Sequence, residues 1–100
     1  MIVNKTYNDF LQLIDDGQYN GYRVCFERSS IVKDSWAAKD YLGYLDNLER
    51  HKHETGISIK YDFLLDANNH VLSIDVYIHY PAENDIPERS HSMHWVIVKK

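Results

Sequence analysis

Between Ile57 and Tyr80 the chain alternates apolar and polar residues through two successive runs. Ile57, Ile59, Tyr61, Phe63 and Leu65 alternate with Ser58, Lys60, Asp62 and Asp66. Leu72, Ile74, Val76 and Ile78 then alternate with Ser73, Asp75, Tyr77 and His79. A period of two marks strands with one buried face. Ala67-Asn68-Asn69-His70 lies between the runs, and Asn tolerates the positive φ of a tight turn, so a β-hairpin is expected. A two-residue Asn68-Asn69 loop would pair Leu65 with Leu72, Phe63 with Ile74, Tyr61 with Val76 and Ile59 with Ile78, placing every apolar side chain on one face. A slip of one residue would turn one strand's apolar set to the wrong side, so a loop of odd length requires a compensating bulge.

The same register sets Asp62 directly opposite Asp75 on the other face, with Lys60 against Tyr77 and Ser58 against His79. Like charges so opposed cost a few tenths to about 1 kcal/mol unless a cation lies beside them. Lys60, or Arg23 from another strand, is the expected neutraliser. A divalent cation or a basic group on a partner is the alternative.

Outside the hairpin, Thr6 and Asp9 resemble a capping box, and Tyr7, Phe10, Leu13 and Ile14 follow at helical spacing until Gly17. Tyr22, Val24 and Phe26 alternate with Arg23, Cys25 and Glu27 in a first strand. Asp34 or Ser35 can cap a second helix with Ala38, Tyr41, Leu42, Leu45 and Leu48 as its apolar stripe and Gly56 as its stop. Gly43 inside that helix costs about 1 kcal/mol relative to Ala, tolerable if it allows close packing on the sheet. Pro81 to Ser90 reads as a loop, and His91 to Val98 as the last strand. The order α-β-α-β-β-β predicts a single α+β domain over residues 1–100. It would have two layers, with a mostly antiparallel four-stranded sheet and both helices on the Tyr22/Phe26/Tyr61/Ile74 face. Whether the first strand pairs with the hairpin in parallel or antiparallel is left open by the pattern.

Charge and cysteine usage exclude several classes of function. Fifteen acidic against 11 basic residues give a formal net charge of −4, with no basic stripe, so direct nucleic-acid binding is not expected. Cys25 is the sole cysteine, which leaves no internal disulfide and fits a reducing, cytoplasmic setting. The apolar runs are strand-sized, so no membrane span is expected. The four glycines are too scattered for a phosphate-binding loop, and no cofactor motif is present.

The open sheet face and the 81–90 loop hold the candidates for function. His51-Lys52-His53-Glu54 lacks the spacing of a metalloprotease helix, and its polar groups suit a helix C-terminus. Asp62, Asp75, His79 and His94 would form a metal site if the strand order brought them together. His79, Tyr77 and Arg23 would make an acid-base ribonuclease or similar hydrolase, against which the negative charge argues. Tyr22, Tyr41, Tyr61 and Trp95 are assigned to the core, and Tyr19, Tyr44, Tyr77 and Trp36 to the surface. The leading expectation is a small non-enzymatic binding module without cofactor, an inhibitor or regulator of another macromolecule. It would contact a basic protein surface through Asp62, Asp75, Tyr77, His79, Glu83, Asp85 and Glu88. A homodimer formed through strand edges or the open face is the third alternative.

Overall fold

The computed structural model describes residues 1–14, 18–19, 22–29 and 38–99. In chain order they form β1 (Ile2–Lys5), α1 (Tyr7–Ile14), β2 (Gln18–Tyr19), β3 (Tyr22–Ser29), α2 (Ala38–Thr55), β4 (Ser58–Leu65), β5 (Val71–Tyr80) and β6 (Arg89–Lys99). The strands make one sheet in the order β1-β4-β5-β6-β3-β2. Every pairing in it is antiparallel. The α+β class and the packing of helices on one face are as the pattern predicts. The sheet has six strands rather than four, because the short β1 and β2 extend its two edges. The first expected strand, β3, does not adjoin the hairpin but pairs with β6.

The hairpin register holds from Ser58↔His79 through Asp62↔Asp75 to Phe63↔Ile74, and fails at the tip. Leu65 faces Val71, not Leu72, because the register shifts next to Leu64. The loop is longer than two residues. Asp66 N–H donates to His70 O at 2.9 Å, Asn69 N–H donates to Asp66 O at 3.1 Å, and Asn69 takes φ 64°. Asp66 Oδ1 also accepts from the N–H of Asn68 and of His70. These backbone bonds hold the Asp66 carboxyl below its usual range. The bulge restores the alternation beyond it, burying Val71 and leaving Leu72 exposed.

Local signals explain the helix ends. Thr6 Oγ1 accepts from Asp9 N–H at 3.2 Å while Asp9 Oδ2 accepts from Thr6 N–H at 3.1 Å, a reciprocal cap. Gly56, at φ 75°, donates its N–H to Lys52 O and ends α2 in the left-handed conformation glycine favours. The expected stop at Gly17, the caps at Asp34 or Ser35, and the side chains of Tyr19 and Trp36 lie outside the described residues. Gly43 is exposed, and a Cβ added there would meet nothing within 4 Å. The expected close approach to the sheet is therefore not what Gly43 provides.

The core lies between the helices and the inner face of the sheet. Phe10 and Ile14 of α1 and Tyr41 and Leu45 of α2 pack with Tyr61, Phe63, Ile74, Val76, Ile78, Met93 and Trp95. Aromatic contacts bind the layers: Phe26 stacks on Tyr41 at 4.3 Å between ring centres and meets Trp95 edge-on at 4.8 Å. Tyr22, expected in the core, is 41 % exposed because it lies at the far end of β3 opposite Lys99.

Two tyrosines secure the seam between helices and sheet. Tyr61 donates its hydroxyl to Glu49 Oε1 at 2.5 Å, and Tyr7 donates to Asp46 Oδ1 at 3.1 Å. Burial, then the Asp46 carboxylate, pushes the Tyr7 hydroxyl up to about 12. The Tyr61 hydroxyl is raised further, by burial first and Glu49 second. Both remain neutral donors, which suits a structural seam.

Candidate functional site

Period two puts the residues that alternate with the core on the opposite face, which no described helix covers. One row across four strands carries most of the charge. Asn4, Asp62, Asp75 and His94 stand opposite one another in turn on β1, β4, β5 and β6. On β3 the register shifts between Phe26 and Arg28, making Glu27 the extra residue. The Glu27 carboxylate reaches back to the row, its Oε2 lying 3.2 Å from His94 Nε2.

The opposed Asp62 and Asp75 thus each have a separate polar partner. Lys60 Nζ lies 3.3 Å from Asp62 Oδ2, and Asn4 Nδ2 donates to Asp62 Oδ1 at 3.5 Å. His94 Nδ1 lies 2.5 Å from Asp75 Oδ1. Carboxylates only accept, so both contacts of His94 are hydrogen bonds only when each ring nitrogen carries a proton. Lys60 performs the neutralising role expected of it. Arg23 does not, because β3 places it opposite Val98, well along the sheet from the row.

Apolar residues adjoin this charged row. Ile2, Leu64, Ser73, Val96 and Cys25 form the next row toward the hairpin tip. Ile2 is 67 % exposed, and Leu72, displaced outward by the bulge, is 47 % exposed. On the other side come Tyr77, with Lys60 Nζ 5.9 Å from its ring centre, and then His79, whose Nε2 is 3.8 Å from Glu88 Oε2. The face therefore presents an apolar strip, a carboxylate-rich row and an exposed tyrosine side by side.

Among the residues singled out from sequence, Asp62, Asp75, Tyr77 and His79 share this face, and Glu88 joins His79 at its margin. Glu83 and Asp85 are exposed in the 81–88 connection, where Glu83 and Ile86 exchange backbone bonds of 2.9 and 2.7 Å around Asn84, at φ 48°. The acid-base set of His79, Tyr77 and Arg23 is not brought together. Tyr77 faces Ser92 while Arg23 faces Val98, and six residues of β6 span about 20 Å. The set Asp62, Asp75, His79 and His94 does not converge either: His79 is four residues along β5 from Asp75, about 13 Å. Among the described residues no three His, Cys, Asp or Glu side chains are grouped to hold a metal ion.

Sequence reasoning placed Glu27 on the open face but missed its contact with His94, along with Asn4 and the exposed Ile2 and Leu64. Only the opposition of Asp62 and Asp75 signalled that counter-charges had to be nearby.

A second cluster lies on the helix side. Tyr44, expected at the surface, is half-buried and hydrogen-bonds hydroxyl to hydroxyl with Tyr80. The Tyr80 hydroxyl is raised by burial and by this bond. His91 lies against the Tyr80 and Tyr44 rings, at 5.1 and 6.1 Å between centres, and Arg89 covers the Tyr80 ring at 4.6 Å. Its Nε2 is buried and meets no hydrogen-bond partner among the described residues. Burial first, and the Arg89 guanidinium second, push the imidazole down from 6.5 to about 4.

No described helix is long and apolar enough to cross a membrane. Comparison with protein-family models, curated proteins and solved structures finds no match to this chain.

Proposed function

We propose that this chain is a small non-enzymatic binding module, an inhibitor or regulator in the cytoplasm, that engages a basic protein surface through its open sheet face. The observation that supports this reading most strongly is the charged row beside an exposed apolar strip. Asp62, Asp75 and Glu27 supply anionic groups fixed by neighbouring strands, while Ile2, Leu64, Leu72 and Tyr77 supply apolar area. Rigid carboxylates next to apolar side chains suit a partner that offers Lys or Arg around an apolar contact. His79 and Glu88 lie at the rim of that surface.

A metal-dependent or acid-base hydrolase centred on Asp62, Asp75, His79 and His94 is the competing reading. It is weakened by the geometry, since His79 stands four residues along β5 from Asp75 and both ring nitrogens of His94 already face carboxylates.

Quantitative affinity capture from host lysate tests the proposal, comparing the native chain with a folded Asp62→Lys/Asp75→Lys variant and with a Glu54→Lys control on α2. The expected result is a protein retained by the native chain and the control and lost by the double variant. Equal retention by all three would refute the open face as the interface.

A further inference from the structure

The free edge of β1 offers a second and separate surface. Met1 N donates to Leu65 O at 2.9 Å and Leu65 N donates to Met1 O at 2.8 Å, so these two positions exchange both bonds. In an antiparallel pair such positions recur every second residue. Val3 and Lys5 therefore bond inward to β4, and the backbone N–H and C=O groups of Ile2 and Asn4 point outward from the edge.

A groove of about 580 Å³ lies beside this edge on the helix side. Val3 and Lys5 of β1, Leu13 of α1, and Phe63, Leu65 and Val71 of the hairpin are among its walls. Asp9, Gln12 and Asn69 supply its polar margin. A strand added to β1 would place every second side chain at the groove's mouth, next to Val3 and Lys5.

Charge narrows the occupant. Lys5 forms no close salt bridge with a described residue; Asp9, which also lines the groove, attracts it at longer range but commits its Oδ2 to the N–H and hydroxyl of Thr6. A carboxylate on the added strand would complement the Lys5 ammonium. A second copy of β1 would not, since Ile2-Val3-Asn4-Lys5 contains no acid.

We propose that the β1 edge and the groove beside it take up an extended segment of another protein, with apolar side chains at alternate positions and an Asp or Glu facing Lys5. Main-chain bonds to Ile2 and Asn4 would hold the segment, and the groove and Lys5 would select it. This site is distinct from the open-face reading in its groove and Lys5, which lie on the helix side of the sheet, while its main-chain bonds run beside Ile2 and Asn4.

Amide NMR titration with three synthetic peptides tests it: an alternating Val/Thr peptide with a central Glu, the same peptide with Lys for Glu, and a proline-interrupted version. The Glu peptide should saturably shift the Ile2 and Asn4 amides and bind about tenfold more tightly than the Lys peptide, while the proline version does not bind. Lys5→Glu should reverse the order of the Glu and Lys peptides. Asn4→Pro, which removes an outward N–H and the side-chain bond to Asp62 while sparing the backbone bonds to β4, should abolish binding. If that variant fails to fold, the Lys5→Glu reversal still decides. The proposal is overturned by the absence of saturable shifts with every peptide, by shifts confined to the open face, or by a peptide order unchanged in Lys5→Glu. Self-association abolished by Asn4→Pro would also overturn it, by assigning the edge to a second copy.

Discussion

Lowering the pH should destabilise this fold through one histidine. His91 is held neutral against Tyr80 and Tyr44, with its Nε2 buried and Arg89 nearby, so the folded ring takes up a proton only near pH 4. The unfolded chain takes it up near 6.5. As the pH falls through that interval the unfolded state binds the extra proton, and stability declines until the folded ring also protonates. A drop from 6.5 to about 4 has a ceiling of about 3.4 kcal/mol at 1.36 kcal/mol per pH unit. The ring is only about half-buried and water screens its charge, so the expected loss is nearer 1 kcal/mol. For a chain of this size that corresponds to about 4–8 °C in Tm. Asp9 and Asp66, both held below the usual carboxylate range by backbone hydrogen bonds, also lower stability in acid, so the comparison must isolate His91. His91→Phe preserves an aromatic ring and removes the titrating group. Thermal unfolding of both proteins between about pH 7.5 and about pH 4 should show native Tm falling relative to the variant across that window. A Tm difference that stays constant with pH would refute the reasoning.

Other substitutions test particular elements. Gly43→Ala should raise stability by about 0.5–1 kcal/mol, since the added methyl meets nothing within 4 Å and the helix gains propensity; denaturant unfolding measures it. Leu72→Asp should change stability by less than about 0.5 kcal/mol, whereas Val71→Asp should unfold the hairpin tip, because the bulge buries Val71 and exposes Leu72. The reverse ranking would restore the two-residue loop. Tyr61→Phe should cost about 1–2 kcal/mol by removing the 2.5 Å bond to Glu49, and a double-mutant cycle with Glu49→Gln should show strong coupling.

The parts of this fold legible in sequence are those where neighbouring residues differ sharply in polarity. Ile59 to Phe63 and Ile74 to Ile78 alternate without exception, so only one register buries them all, and with it came the opposition of Asp62 and Asp75. At the tip the signal disappears: Val71 and Leu72 are both apolar, and a one-residue bulge exchanges their faces without a trace in the pattern. The pairing of β1 with β4 was hidden because four residues are too few to establish a period. The alternation of β3 put Glu27 on the open face, but the bulge there hid its contact with His94, which depends on backbone geometry and on the adjacency of β3 and β6. That adjacency is a matter of strand order, which periodicity does not encode. The candidate face was therefore readable through Asp62, Asp75 and Tyr77, whereas its closure by His94 and Glu27 required the fold.

Carboxyl-group footprinting of the protein, alone and bound to the captured partner, tests the open-face reading most directly. Binding should suppress labelling at Asp62, Asp75 and Glu27 and leave Asp40 and Glu54 on α2 unchanged. Protection of the α2 carboxylates with continued labelling of the sheet row would contradict the reading and move the interface to the helical layer.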